Sequence, residues 1–98
     1  MAEVRITPAA KTHLLDIWAY TEQTWGEARA DAYLLEIEAV FRQLAAAPLL
    51  GRPRPEIREG FRSIPAGSHV IFHTVTPDKA YVNIIGVLHA KMDVSSRL

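Results

Sequence analysis

The hydrophobic rhythm of this chain changes once, and that change dictates the layers it can build. Up to Leu44 apolar residues recur every three to four positions, whereas beyond Phe61 they recur every second one. The first period belongs to helices and the second to strands. Between them lie residues 48–60, PLLGRPRPEIREG, whose three prolines and two glycines predict an irregular connection.

Within the helical half, Thr7-Pro8 reads as a start: threonine caps the first turn, and proline sits where a missing N–H costs nothing. Leu14, Ile17, Trp18, Thr21 and Trp25 then share one face, and Gly26 is placed to end the helix. A second helix follows at once, with Ala30, Tyr33, Leu34, Ile37, Val40, Phe41 and Leu44 at helical spacing and Pro48 beyond its end. So short a connection predicts an antiparallel helical hairpin. Of its aromatic stripe, Trp25 at the tip is the member expected in solvent.

Val4 and Ile6 alternate with Glu3 and Arg5, predicting a short opening strand. Phe61–Ala66, His69–Thr76 and Tyr81–His89 read as three further strands, joined by turns at Ala66-Gly67-Ser68 and Thr76-Pro77-Asp78-Lys79. Residues 92–98 read as a loose tail. The expected fold is α+β, ordered β-α-α-β-β-β, with the hairpin on one face of a mainly antiparallel four-stranded sheet. The last two strands are apolar on both sides, so alternation does not choose which side meets the helices. Val70, Phe72, Val82, Ile84 and Leu88 are assigned inward, leaving the histidines and Tyr81 outward; this is taken to require an odd-numbered loop or a bulge. On that assignment Ile71, Ile85 and Val87 form an uncovered apolar surface, which calls for a partner.

At 98 residues the chain is expected to form one domain, residues 1–98, with a two-layer core. Without cysteine it has no disulfide, thiol nucleophile or cysteine zinc site, which suits a reducing cytoplasm. No apolar run nears the roughly 20 residues that span a bilayer. Eleven Lys and Arg balance eleven Asp and Glu, which argues against a protein that simply coats nucleic acid. That zero conceals a split: four bases against seven acids give −3 over residues 1–50, and seven against four give +3 over residues 51–98. Arg52, Arg54, Arg58 and Arg62 fall within eleven positions and suit bidentate recognition of carboxylate or phosphate.

Other chemistry finds little support. His69 and His73 on one strand are roughly 13 Å apart, too far to share a metal ion. Glu36 and Glu38 point to different sides of a helix, no serine sits in a nucleophile turn, and GRPRP lacks the lysine-ended form of a phosphate loop. No cofactor is expected. Arg62, His89 and Lys91 would make a general acid–base site for RNA cleavage only if the fold brought them together.

A longer set of features runs nearly end to end. It comprises Thr7 and Ala10; Leu14, Ile17 and Tyr20; Trp25-Gly26, Ala28 and Tyr33; Phe41-Arg42-Gln43-Leu44; and Pro48-Leu49-Leu50-Gly51-Arg52. It continues through Gly60-Phe61-Arg62, Gly67-Ser68-His69-Val70-Ile71-Phe72 and Val87-Leu88-His89-Ala90-Lys91-Met92-Asp93. In this order the chain resembles the ParE branch of the RelE/ParE toxin superfamily. The resemblance implies a bacterial type II toxin that poisons DNA gyrase without being an enzyme. It further implies neutralisation by a ParD-like antitoxin, a ribbon-helix-helix DNA-binding protein whose C-terminal segment wraps the toxin. The superfamily's RelE-like members cut mRNA on the ribosome, and Arg62, His89 and Lys91 are the residues here that would serve such an endoribonuclease. His73 stands where many relatives carry Tyr, and the last strand lacks the Lys/Arg-rich lining of those nucleases. A third expectation is a module of this fold that binds antitoxin without being toxic.

On the leading expectation the antitoxin meets Ile71, His73, Ile85 and Val87 on the open face, with Arg52, Arg54 and Arg62 facing its acids. Gyrase contacts are expected at Trp25 and along the tail at Met92, Arg97 and Leu98. Neither a membrane nor direct nucleic-acid binding by the toxin alone is expected, and no metal.

Overall fold

The computed structural model describes residues 1–94 and 97–98. Its elements are β1 (Glu3–Ile6), α1 (Pro8–Trp25), α2 (Glu27–Ala46), β2 (Arg52–Pro53), β3 (Arg62–Ala66), β4 (His69–Val75) and β5 (Tyr81–His89). The helix boundaries follow the predicted signals. Thr7 Oγ1 accepts from the Ala10 N–H at 3.3 Å, Pro8 opens α1, and the Gly26 N–H closes it on Glu22 O at 2.8 Å. Gly26 has φ of 94°, which a β-carbon disfavours, and this one residue both ends α1 and precedes α2. The helices therefore fold back on each other, tied by Trp18 Nε1 donating to Asp31 Oδ1 at 2.9 Å.

The sheet has five strands in the order β1-β5-β4-β3-β2; β1 and β5 run parallel and all other pairs antiparallel. Its extra member is β2, inside the segment expected to be irregular. Arg52 and Pro53 pair with Ser63 and Arg62, and the Arg54 N–H donates to Phe61 O at 2.7 Å. Proline is tolerated there because β2 is an edge with no further strand to hydrogen-bond. Of the expected loose tail, residues 95–96 lie outside the described ones; after them the Arg97 and Leu98 N–H groups both donate to Val94 O.

Which sheet face meets the helices differs from expectation. A bulge skips Ile85: Phe72 pairs with Gly86, but His73 pairs with Ile84. Val82 and Ile84 thereby share a side with Val87. These three join Ile71 in one core cluster with Ile17, Tyr33, Ile37, Phe41 and Leu44 from the hairpin. Val82 and Ile84 point inward as expected. Val70, Phe72 and Leu88 do not: alternation from Ile71 and Val87 places them on the far side of the sheet. Phe72 and Leu88 are nonetheless buried there, and the Arg54 guanidinium lies 5.8 Å over the Phe72 ring. Among the described residues no helix is long and apolar enough to cross a membrane.

Candidate functional site

Short β2 and the loop before it put the arginines along one edge of the sheet. Arg54 is spent internally: Nε pairs with Glu56 at 2.7 Å and Nη1 donates to Ser63 Oγ at 3.0 Å. Arg52 is exposed and helps line a surface groove of about 380 Å³ with Leu50, Ser63, Pro65 and Val70. Arg62 leans the other way. Its Nη2 donates to Leu49 O at 3.0 Å, while its buried Nε has no partner. Opposite it on β4, His73 is wholly buried and neither ring nitrogen is hydrogen-bonded. Burial, reinforced by the Arg62 charge, lowers the His73 pKa to about 4, so the ring is neutral at physiological pH. Gly51 lies over this imidazole so closely that any β-carbon there would collide with it.

Beyond Arg62 a cavity of about 280 Å³ opens between the loop before β2 and the turn joining β4 to β5. Leu49, Arg62, Val75, Pro77 and Lys79 are among its walls. Leu49 and Leu50 are each about half exposed, an apolar pair beside basic side chains.

At the far end of β4 the histidines are hydrogen-bonded. The Ser68 N–H donates to Tyr33 Oη at 3.0 Å, and the same hydroxyl shares a hydrogen bond with His69 Nδ1 at 2.6 Å. His69 and His89 face each other across the strands with ring centres 5.4 Å apart. His13 Nδ1 accepts the Val87 N–H at 3.1 Å, close to the bulge. Burial lowers the pKa of His13 and of His69, aided at His69 by repulsion from His89 and at His13 by Arg97, while Asp16 pulls His13 upward. Next to this cluster a cleft of about 170 Å³ is framed by Tyr20, Trp25, Arg29, Tyr33, His69 and His89.

These positions correct part of the expected surface. Ile71 and Val87 are buried beneath the hairpin, at 0% and 2% exposure, and His73 is buried beneath Gly51, at 0%; none of the three is open to a partner. The bulge that the assignment allowed for is present, but it sets Ile71 and Val87, not Phe72 and Leu88, on the helix side with Val82 and Ile84. Ile85, the bulged residue, is half-buried. Arg52, Arg54 and Arg62 do gather at one edge, although only Arg52 is free of internal hydrogen bonds to its side chain among the described residues. Trp25 is 70% exposed at the hairpin tip, as expected, and Met92 and Arg97 are exposed. Leu98 is half-buried, its side chain filling the space in front of Gly86. Arg62, His89 and Lys91 do not converge. Arg62 pairs with one end of β4 and His89 with the other, four residues or roughly 13 Å apart. Among the described residues no three His, Asp or Glu side chains are grouped to hold a metal ion. Lys79 escaped notice in the sequence because it stands alone in a turn. Its one signal is position: it closes a Pro-Asp turn between two strong strands.

Comparison with known proteins places these features in context. Residues 4–94 match the family model described as the ParE toxin of the type II toxin–antitoxin system parDE. Toxin ParE1 of Mycobacterium tuberculosis is 41% identical over 93 residues, covering 95% of this chain and 94% of that one. Toxin ParE1 of Caulobacter vibrioides is 39% identical over 98 residues, covering 100% and 99%. Among solved structures, a chain of the chromosomal ParDE system from P. aeruginosa superposes with TM-score 0.79 at 17% identity, over 93% of this chain and 98% of that one. A chain of the Mycobacterium tuberculosis RelBE2 toxin–antitoxin complex gives TM-score 0.64 at 25% identity, over 90% and 96%.

Proposed function

Because this chain belongs to the ParE family of toxins from type II toxin–antitoxin systems, we infer that it acts by binding DNA gyrase and is silenced by a ParD-like antitoxin. The observation that carries this reading is the near end-to-end identity of 41% to a ParE1 toxin. The separation of Arg62 from His89 and Lys91 along β4 also supports it, since an acid–base cleavage site needs its groups within hydrogen-bond reach of one substrate. On this reading the toxin needs no catalytic group or cofactor, and works in the cytoplasm by stabilising gyrase on cleaved DNA.

The antitoxin contact is assigned to the basic sheet edge, with Arg52, Arg54 and Arg62 facing its acids and Ile85 adding apolar contact. The target contact is assigned to Trp25 at the hairpin tip and, apart from it, to Met92, Arg97 and Leu98 of the tail. An exposed tryptophan framed by Tyr20 and Arg29 has the composition of an interface hot spot.

A gyrase supercoiling assay tests this directly. Purified toxin should block supercoiling and accumulate cleaved DNA, and the antitoxin should reverse both. Intact supercoiling together with cut mRNA on ribosomes would overturn the reading in favour of a RelE-like nuclease. Harmless accumulation of folded protein in cells lacking antitoxin would instead identify a non-toxic binding module.

A further inference from the structure

The cavity beside Arg62 has a charge pattern that the rest of the molecule leaves unanswered. Two of its walls are cationic, Arg62 and Lys79, and no acidic side chain is among its lining residues. Neither cation has an ion pair among the described residues. The Arg62 guanidinium holds only the Leu49 carbonyl and keeps Nε buried without a partner. The Lys79 ammonium makes no hydrogen bond among the described residues, although its backbone N–H donates to Thr76 O at 2.8 Å. Asp78, its neighbour in the turn, is already engaged, its Oδ1 accepting from Thr76 Oγ1 at 2.6 Å and from the Ala80 N–H at 2.9 Å. The remaining walls include the apolar Leu49, Val75 and Pro77.

A second, independent observation concerns the backbone. Lys79 has φ of 59°, the single non-glycine residue with positive φ among the described residues. A β-carbon is disfavoured there, and glycine or asparagine would close the same turn with less strain. Lysine at this position thus gains nothing for the fold, and a local rule broken without structural return points to a use for the side chain.

We propose that this cavity is the antitoxin's carboxylate subsite: it seats a Glu or Asp side chain between Arg62 and Lys79, while a neighbouring apolar residue of the same segment packs on Leu49 and Val75. The proposal rests on the toxin–antitoxin reading above and adds Lys79 to the contact. Charge complementarity selects the occupant. Two unpaired cations exclude a basic segment, and the apolar walls distinguish an acidic–apolar peptide from a bare inorganic anion. Guanidinium and ammonium contribute differently, Arg62 as a planar fork fixed by the Leu49 carbonyl and Lys79 as a mobile point charge.

The test measures binding of the purified cognate ParD-like antitoxin to wild-type toxin, Lys79→Gly and Lys79→Arg at low and high salt, together with melting temperatures. Lys79→Gly should melt at or above the wild-type temperature yet bind on the order of tenfold more weakly, with a shallower salt dependence, as loss of a desolvated cation does. Lys79→Arg should keep most of the affinity. Wild-type affinity in Lys79→Gly, with tight binding by the parent, would overturn the subsite and leave the toxin–antitoxin reading intact. A fall in melting temperature matching the fall in affinity would assign Lys79 to the fold alone and also overturn it. Failure of the parent to bind that antitoxin would overturn the reading itself, and the subsite with it.

Discussion

His69 and His73 lie four residues apart on the same side of β4, yet their rings live under opposite conditions. His69 is half-buried and hydrogen-bonded: the Tyr33 hydroxyl holds its Nδ1, and His89 stands across from it. His73 is sealed under the loop before β2, with no hydrogen bond to either nitrogen and an arginine as its charged neighbour. One end of the strand thus uses its imidazole to tie α2 to the sheet, and the other keeps an unsatisfied ring beside the anchored Arg62 guanidinium. Unsatisfied buried polar atoms are uncommon and cost roughly 1–3 kcal/mol each relative to a satisfied or apolar group. Stability has therefore been given up at the Arg62 end of β4, which is also the end bearing the cavity assigned to the antitoxin.

The largest expected effect is acid sensitivity from His73. Its folded pKa, about 4, lies below the unfolded value near 6.5, so the unfolded chain binds the proton first. The resulting stability is fully present above pH 6.5 and is lost as pH falls toward 4, by about 3 kcal/mol in all. His73→Leu should flatten that stretch of a denaturant-derived stability profile and raise stability at pH 5. A profile in which His73→Leu keeps the full acid slope would show that the ring is not the group responsible.

Next comes the lid over that ring. Gly51→Ala places a methyl against the imidazole and within 3.0 Å of the Ser63 carbonyl, which is backbone and cannot move aside. Overpacking of this kind should cost about 2 kcal/mol, read as a lower midpoint of urea unfolding. Combining it with His73→Ala should recover part of the loss, because the two changes share one contact. Simple additivity would break the argument.

At the other end, Tyr33→Phe removes one hydroxyl and orphans two groups, the Ser68 N–H and His69 Nδ1. Both are only partly buried, so water replaces some of what is lost, and the expected cost is about 1–2 kcal/mol. A smaller penalty than that of Gly51→Ala would agree with the contrast between an accessible and a sealed end of β4. A larger one would invert it.

The contrast also marks how far the sequence could be read. Thr7-Pro8, Gly26 and Pro48 announced the hairpin because caps and breakers act locally, and β5 was readable over its whole length from Tyr81 to His89. The two-residue β2 was hidden by its proline, which an edge tolerates. The facing of β4 was hidden by its composition. Ile71 and Phe72 are both buried, one on each side, so period two carried no preference. A one-residue bulge at Ile85 then decided that Val87 belongs under the helices. The same ambiguity misplaced His73 in the expected binding surface, whereas Trp25 was legible as exposed because a hairpin tip has nothing to pack against.

The smallest effect tests what holds the His69 pKa down. Two causes act there, burial first and repulsion from His89 second, and they respond differently to one substitution. His89→Ala removes the repelling ring from an exposed position and leaves Tyr33, the helices and most of the burial in place. The His69 pKa should therefore rise without reaching 6.5, followed by the ring-proton shifts in a two-dimensional NMR titration. Because the lost contact is largely solvent-facing, stability at neutral pH should stay within about 0.5 kcal/mol of the parent. A complete return to 6.5 would mean that His89, not burial, governs the site, and the two ends of β4 would then differ in charge rather than in their access to water.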